Sequence, residues 1–174
     1  MKYIALLRGI NVGGNKKVAM ADLLALLKRL GFDDARTLLQ SGNLVFRTTR
    51  KTAAQLERQL EAEVLKTIGL ETKFFVRSEE EWKAVIDANP YPNEAKCDPA
   101  HLLVLFLERA PEGENLKALQ AAIKGRETFR AGGRHLYMVY PDGVGTSKLT
   151  HAVIEKKLGM RGTARNWNTV SKLA

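Results

Sequence analysis

Two polar stretches of this 174-residue chain carry residue types that bind anions at close range. The first runs Arg8, Gly9, Ile10, Asn11, Val12, Gly13, Gly14, Asn15, Lys16, Lys17. Glycines let backbone N–H groups approach an anion, the start of a following helix adds its positive end, and Arg8 or Lys17 supplies charge. The chemistry these residues suit is phosphate binding. Their spacing matches neither GxGxxG nor GxxxxGK followed by Ser or Thr, so neither nucleotide fingerprint applies. The plain alternative is a tight strand-to-helix connection that happens to be rich in glycine.

The second stretch is Asp142, Gly143, Val144, Gly145, Thr146, Ser147, Lys148, with Arg165, Asn166, Trp167, Asn168 further along. Here Ser147 suits a helix N-cap with Lys148 in the first turn of a helix over 148–158. An indole beside amides and an arginine suits stacking and hydrogen bonding to a base or another planar ligand. Equally, Trp167 fills a core and Asn168 caps the last helix. Catalytic constellations are absent from the pattern. His101, His135 and His151 fit no zinc spacing and face no nucleophile, Ser147 and Lys148 lack the SxxK interval, and Asp142 is the one carboxylate in its loop. The single cysteine, Cys97, excludes an internal disulfide and reads as a surface residue. No metal or cofactor is expected.

The elements that must position these stretches follow from periodicity. Residues 3–8 are a short apolar run, and Leu23, Leu26, Leu27 and Leu30 recur at helical spacing before Gly31. Residues 35–40 and 44–48 flank Ser41, Gly42 and Asn43, a hairpin signal in which Gly and Asn tolerate positive φ. Thr52 and Gln55 have capping-box spacing, Leu56, Leu60, Val64 and Ile68 line one face, and Gly69 stops that helix before a strand over 71–76. Ser78 and Glu81 form a second capping box ahead of a short connecting helix ended by Pro90 and Pro92. From there the order repeats: strand 101–107, helix 114–124, strands near 127–130 and 134–140, helix 148–158, and a short strand near 163–165.

The reading is therefore α+β, two ferredoxin-like βαββαβ halves packed together, with a connecting helix and a C-terminal helix. Its boundaries are 1–77, 78–98 and 99–174. No residue identity links the halves; the order of elements does. In this topology the first strand of each half is central, which its near-continuous apolar character suits. The first strand's exit, the hairpin turn and the last helix-to-strand loop share one edge of each sheet. That places Ser41 and Asn43 beside Arg8, Asn11, Gly13, Gly14 and Lys17. The opposite edge of the second half gathers Ser147 and Lys148 with Arg165, Asn166 and Trp167.

Net charge is +9, divided as +7 over residues 1–77, −6 over 78–114 and +8 over 115–174. Two basic blocks around an acidic one suit a phosphate-bearing partner, including nucleic acid, or a solvated basic surface. No apolar run approaches the ~18 residues that cross a bilayer, and the chain opens on a strand-like segment, so the expectation is a cytoplasmic protein without a membrane partner.

The segments 5–18 (ALLRGINVGGNKKV), 39–46 (LQSGNLVF), 140–150 (YPDGVGTSKLT) and 163–174 (TARNWNTVSKLA) resemble the DUF1697 family. The resemblance implies an α+β architecture of ferredoxin-like halves and brings with it no activity and no catalytic residues. Function is thus left to the residues. The first expectation is a binder of a phosphate-bearing ligand, nucleotide or nucleic acid, at the Arg8–Lys17 loop. The alternatives are an enzyme on a small phosphorylated or nucleobase-like substrate at Ser147 and Lys148, and a protein interaction module using the acidic middle.

Overall fold

A computed structural model describes residues 1–9, 17–49 and 51–174 of the chain. They form two compact units, residues 1–84 with 173–174, and residues 85–172. The first contains β1 (Lys2–Leu7), α1 (Met20–Arg29), β2 (Asp33–Leu38), β3 (Asn43–Arg47), α2 (Ala53–Ile68) and β4 (Phe74–Ser78), then enters α3 (Glu79–Asp87). Its sheet has the order β2-β3-β1-β4 with every pair antiparallel. β1 lies inside the sheet, and Tyr3, Ala5 and Leu7 on one face pack with Leu23, Leu26 and Leu27 of α1 and Leu56, Leu60 and Val64 of α2. The alternate residues Ile4 and Leu6 are fully buried as well. Each such leucine contributes roughly 1.5–3 kcal/mol, which outweighs the weak local preferences of these short segments.

Capping in this unit follows the sequence closely. The Thr52 hydroxyl accepts from the Gln55 N–H at 3.2 Å and the Gln55 side chain accepts from the Thr52 N–H at 2.9 Å. Gly69 closes α2 in the left-handed region, at φ 72°. Ser78 and Glu81 bond reciprocally at the start of α3, at 2.8 and 3.2 Å. The hairpin turn differs from the expectation in one respect. The left-handed residues are Leu39 and Gly42, at φ 59° and 78°, whereas Asn43 is already the first residue of β3.

The second unit repeats the order. After α4 (Pro92–Cys97) and a 3-10 turn at Pro99–His101 come β5 (Leu102–Leu107), α5 (Gly113–Ala122), β6 (Thr128–Ala131), β7 (His135–Val139), α6 (His151–Leu158), β8 (Gly162–Asn166) and α7 (Trp167–Lys172). The sheet order is β6-β7-β5-β8, again antiparallel throughout. Leu105, Leu107, Leu119, Leu136, Met138, Ile154 and Leu158 form its core.

Three expectations need correction here. The segment read as connector loop contains a helix, α4, which Pro92 opens because a first-turn proline costs no helical N–H bond. α6 starts at His151 instead of 148. Its N-cap is Thr150, whose hydroxyl accepts from the Val153 N–H at 3.3 Å, and Ser147 and Lys148 precede the helix. α7 is capped by Asn166 and not by Asn168: the Asn166 side-chain oxygen accepts from the Thr169 N–H at 3.0 Å.

Candidate functional site

The first rim assembles at the end of β1. The Leu7 N–H donates to the Gly42 carbonyl at 2.9 Å, and the Arg8 N–H donates to the Lys73 carbonyl at 3.1 Å. The Thr72 hydroxyl closes the cluster by donating to the Arg8 carbonyl at 3.1 Å. Strand exit, hairpin turn and helix-to-strand loop therefore share one edge, as the connectivity predicts. Gly9 turns the chain away at φ 64°, a conformation that L side chains rarely adopt. Lys17 is exposed and Arg8 half-buried. Asn11, Gly13 and Gly14 lie outside the described residues.

Ser41 and Asn43 have structural duties at this rim. Asn43 is fully buried, and its amide donates to the Leu38 carbonyl at 2.8 Å and to the Ser41 hydroxyl oxygen at 2.9 Å. The amide thus holds the β2–β3 turn in shape. A residue that has spent both side-chain donors on the turn presents the turn's backbone to solvent and does not itself reach a ligand.

The same edge of the second unit has the same wiring with the charge reversed. The Leu107 N–H donates to the Arg134 carbonyl of the β6–β7 turn at 2.9 Å. Leu7 and Leu107 hold the same register, each facing the first residue of its sheet's other edge strand, Phe74 and Gly162. The next residue is Arg8 in one unit and Glu108 in the other. Glu108 accepts from the Arg161 N–H at 3.1 Å, so this rim contains its own carboxylate.

The second rim lies where β7 leaves the sheet. The Tyr140 N–H donates to the His101 carbonyl at 2.9 Å, and Asn166 at the end of β8 pairs with Leu103 on the other side of β5. Both exits therefore flank the start of β5. Of the residues predicted there, Lys148 is exposed. The Ser147 hydroxyl donates to Glu127 Oε1 at 2.5 Å and accepts from the Leu149 N–H at 3.0 Å. Asn166 is the cap already described, and Trp167 is buried. Arg165 is buried too, with its Nη1 donating to the Thr163 hydroxyl and the Ala164 carbonyl, both at 2.8 Å. Burial draws its guanidinium down to about 10, still well above neutral pH. The polar atoms gathered here are largely taken up by the fold.

Arg165 also reveals what the sequence reading missed. It is the fourth residue of β8 and pairs with Val104, the third of β5; Arg77 is the fourth residue of β4 and pairs with Ile4, the third of β1. Both are buried on the sheet face turned away from their unit's helical core. The agreement extends backwards. Glu61 of α2 accepts from the N–H of Phe74, the first residue of β4, and Glu155 of α6 accepts from the N–H of Gly162, the first of β8. Those carboxylates satisfy edge-strand donors that otherwise invite strand pairing. Thr52 and Thr150 cap the preceding helices, and Gly69 and Gly159 end them in the left-handed region. Residue identity thus does link the halves, contrary to the expectation of matching order alone. Unequal helix lengths, 16 residues in α2 against 8 in α6, hide it from a fixed-offset comparison.

Among the described residues, no group of three or more His, Cys, Asp or Glu side chains is placed to hold a metal ion. No described helix is long and apolar enough to cross a membrane.

The family model described as "Protein of unknown function (DUF1697)" matches residues 1–137. The match covers the first unit's sheet and ends within β7, before the 140–150 and 163–174 segments. No curated protein matches the chain. Among solved structures, a conserved bacterial protein from Streptococcus pneumoniae is similar at a TM-score of 0.70 and 24% identity, over 99% of this chain and 96% of that one. At that identity the likeness concerns the fold.

Proposed function

The chain belongs to the DUF1697 family, described as proteins of unknown function, and from the geometry of its first rim we propose that it binds a phosphate-bearing ligand, a nucleotide or nucleic acid, there. The observation that carries this reading is the exchange of Arg8 for Glu108 at one position of two similarly wired rims. In the second unit an internal carboxylate accepts the rim's backbone N–H at 3.1 Å. In the first, the same position is cationic, and the Lys73 backbone belongs to the same edge. The sequence between Arg8 and Lys17 adds Asn11, Gly13, Gly14 and Lys16, residue types that let backbone donors approach phosphate oxygens. The strand order of each sheet supports treating the halves as ferredoxin-like.

Fluorescence anisotropy with short single-stranded RNA, DNA and mononucleotides at low salt tests the proposal. Binding that drops at least tenfold in the R8A/K17A double variant supports it. Absence of binding, or affinity unaltered by the double substitution, overturns it. The enzyme reading at the second rim has less behind it, because Ser147, Arg165, Asn166 and Trp167 already serve the loop, the strand and the helix cap there.

A further inference from the structure

At the corner of the first unit's sheet far from the Arg8 rim, β2 does not pair evenly with β3. Asp33 faces Arg47 and Arg36 faces Val45, so three steps along β2 answer two along β3. This is a β-bulge, and it sets Asp34 in the left-handed region at φ 49°. Bulges and strained non-glycine residues gather next to functional sites because they re-aim side chains that an even ladder would fix. Beside the bulge lies a cleft of about 550 Å³, within the range of small-molecule sites. Three of its seven lining residues, Lys2, Arg36 and Arg47, are cations, and Asp34 is the one carboxylate.

The two arginines are exposed and lightly engaged, whereas the Lys2 side chain is 13% exposed. Arg47 Nε pairs with Asp34 Oδ2 at 3.1 Å, with the two side chains 54% and 77% exposed. Lys2 pairs with Glu79 at 3.2 Å. An exposed ion pair of this kind adds little to stability, so a better anion displaces it easily. An arginine fork suits phosphate bidentately, and a phosphate monoester carries nearly twice the charge of the carboxylate it replaces.

We propose that the bulge cleft is a second, separate anion site for a small molecule bearing a phosphate monoester, and that Asp34 fills the phosphate position until the ligand arrives. The cleft is much larger than a phosphate ion, which leaves room for the body of the molecule beside Val45. Asp34 is a competitor, and Arg36 and Arg47 are the binding residues.

Isothermal titration calorimetry of the whole chain with inorganic phosphate and with glucose 6-phosphate tests this, using D34N, R36A/R47A and R8A/K17A. All the substituted side chains of the first two variants lie at the surface or in exposed pairs, and thermal melting checks that they fold. The expected results are a threefold or greater gain in affinity for D34N, a tenfold or greater loss for R36A/R47A, and retention in R8A/K17A of the binding that R36A/R47A removes. Tighter binding of glucose 6-phosphate than of phosphate assigns the cleft to a phosphorylated small molecule; equal affinity restricts it to the free ion and overturns that part. An unchanged or weaker D34N, or an unaffected R36A/R47A, overturns the site. Loss in R8A/K17A alone assigns any binding to the first rim and leaves the cleft refuted.

Discussion

The Ser147 hydroxyl and the Glu127 carboxylate meet at 2.5 Å, and they do so beside a second staple, the two-point pairing of Arg126 with Asp142. Two consecutive residues of opposite charge thus fasten both ends of the 142–147 loop. The other Glu127 oxygen is buried close against Gly125. The loop between the staples shows Val144, Gly145 and Thr146 to solvent.

This arrangement makes the loop acid-sensitive. The Ser147 hydroxyl holds the Glu127 carboxyl below its usual value of 4.5, with the Asp142 charge opposing. A folded-state value below the unfolded one means the stabilisation is complete above about pH 4.5 and is lost as pH falls through the lower folded value. Hydrogen exchange at Leu149 should therefore quicken as pH drops below the glutamate range, once corrected for intrinsic rates. E127Q should show the quickened exchange at neutral pH, with a stability loss of roughly 1 kcal/mol, at the low end for a charged hydrogen bond because solvent is near. A wild-type exchange profile in E127Q means that Arg126 and Asp142 hold the loop alone.

Gly162 makes a sharper demand on residue size. A Cβ there would lie 2.9 Å from the Phe106 carbonyl oxygen and 2.9 Å from Leu107 Cδ2, while one at Gly145 meets nothing within 4 Å. G162A should cost about 1–3 kcal/mol in urea unfolding, the range for overpacking, and G145A should be nearly neutral. Equal effects would contradict the packing described for β8.

The buried arginines offer a test of the repeat. R165A removes a guanidinium that serves Thr163 and Ala164 and leaves a void, with an expected loss of about 2–4 kcal/mol. R165M fills the volume without burying a charge and should recover much of that loss. Because Arg77 holds the same register, R77A and R77M should rank the same way in thermal melts. Opposite ranking would show that shared register does not mean shared role.

Salt dependence separates a specific rim from a generally basic surface. If Arg8 and Lys17 each neutralise one phosphate, R8A/K17A should lower the slope of log affinity against log salt by about 1.4 for single strands. R36A/R47A should leave that slope alone, because Arg47 faces Lys2 at the other end of β1 and Arg36 lies two strands away on β2. A slope lowered equally by both variants would indicate diffuse charge.

Much of this architecture is legible in the chain itself. Leu56, Leu60 and Val64 at helical spacing, the Thr52 and Ser78 capping boxes and the Gly69 stop are local signals, each set by a few neighbouring residues, and each appears where the pattern puts it. Connectivity then carries Arg8 to the Ser41–Gly42 turn, because antiparallel pairing about a central first strand admits few alternatives. What sequence alone does not reveal is which polar atoms are already spoken for. Ser147 has the look of a cap, yet Thr150 takes that role and Ser147 turns to Glu127, 20 residues away. Asn43 spends its amide on the turn, Arg165 is buried under β8 pairing, and the Asp34 bulge arises from a register shift that no local residue type announces. Helix starts and stops depend on nearest neighbours, whereas the partner of a polar side chain depends on which distant strand the fold brings beside it, and only the tertiary structure decides that.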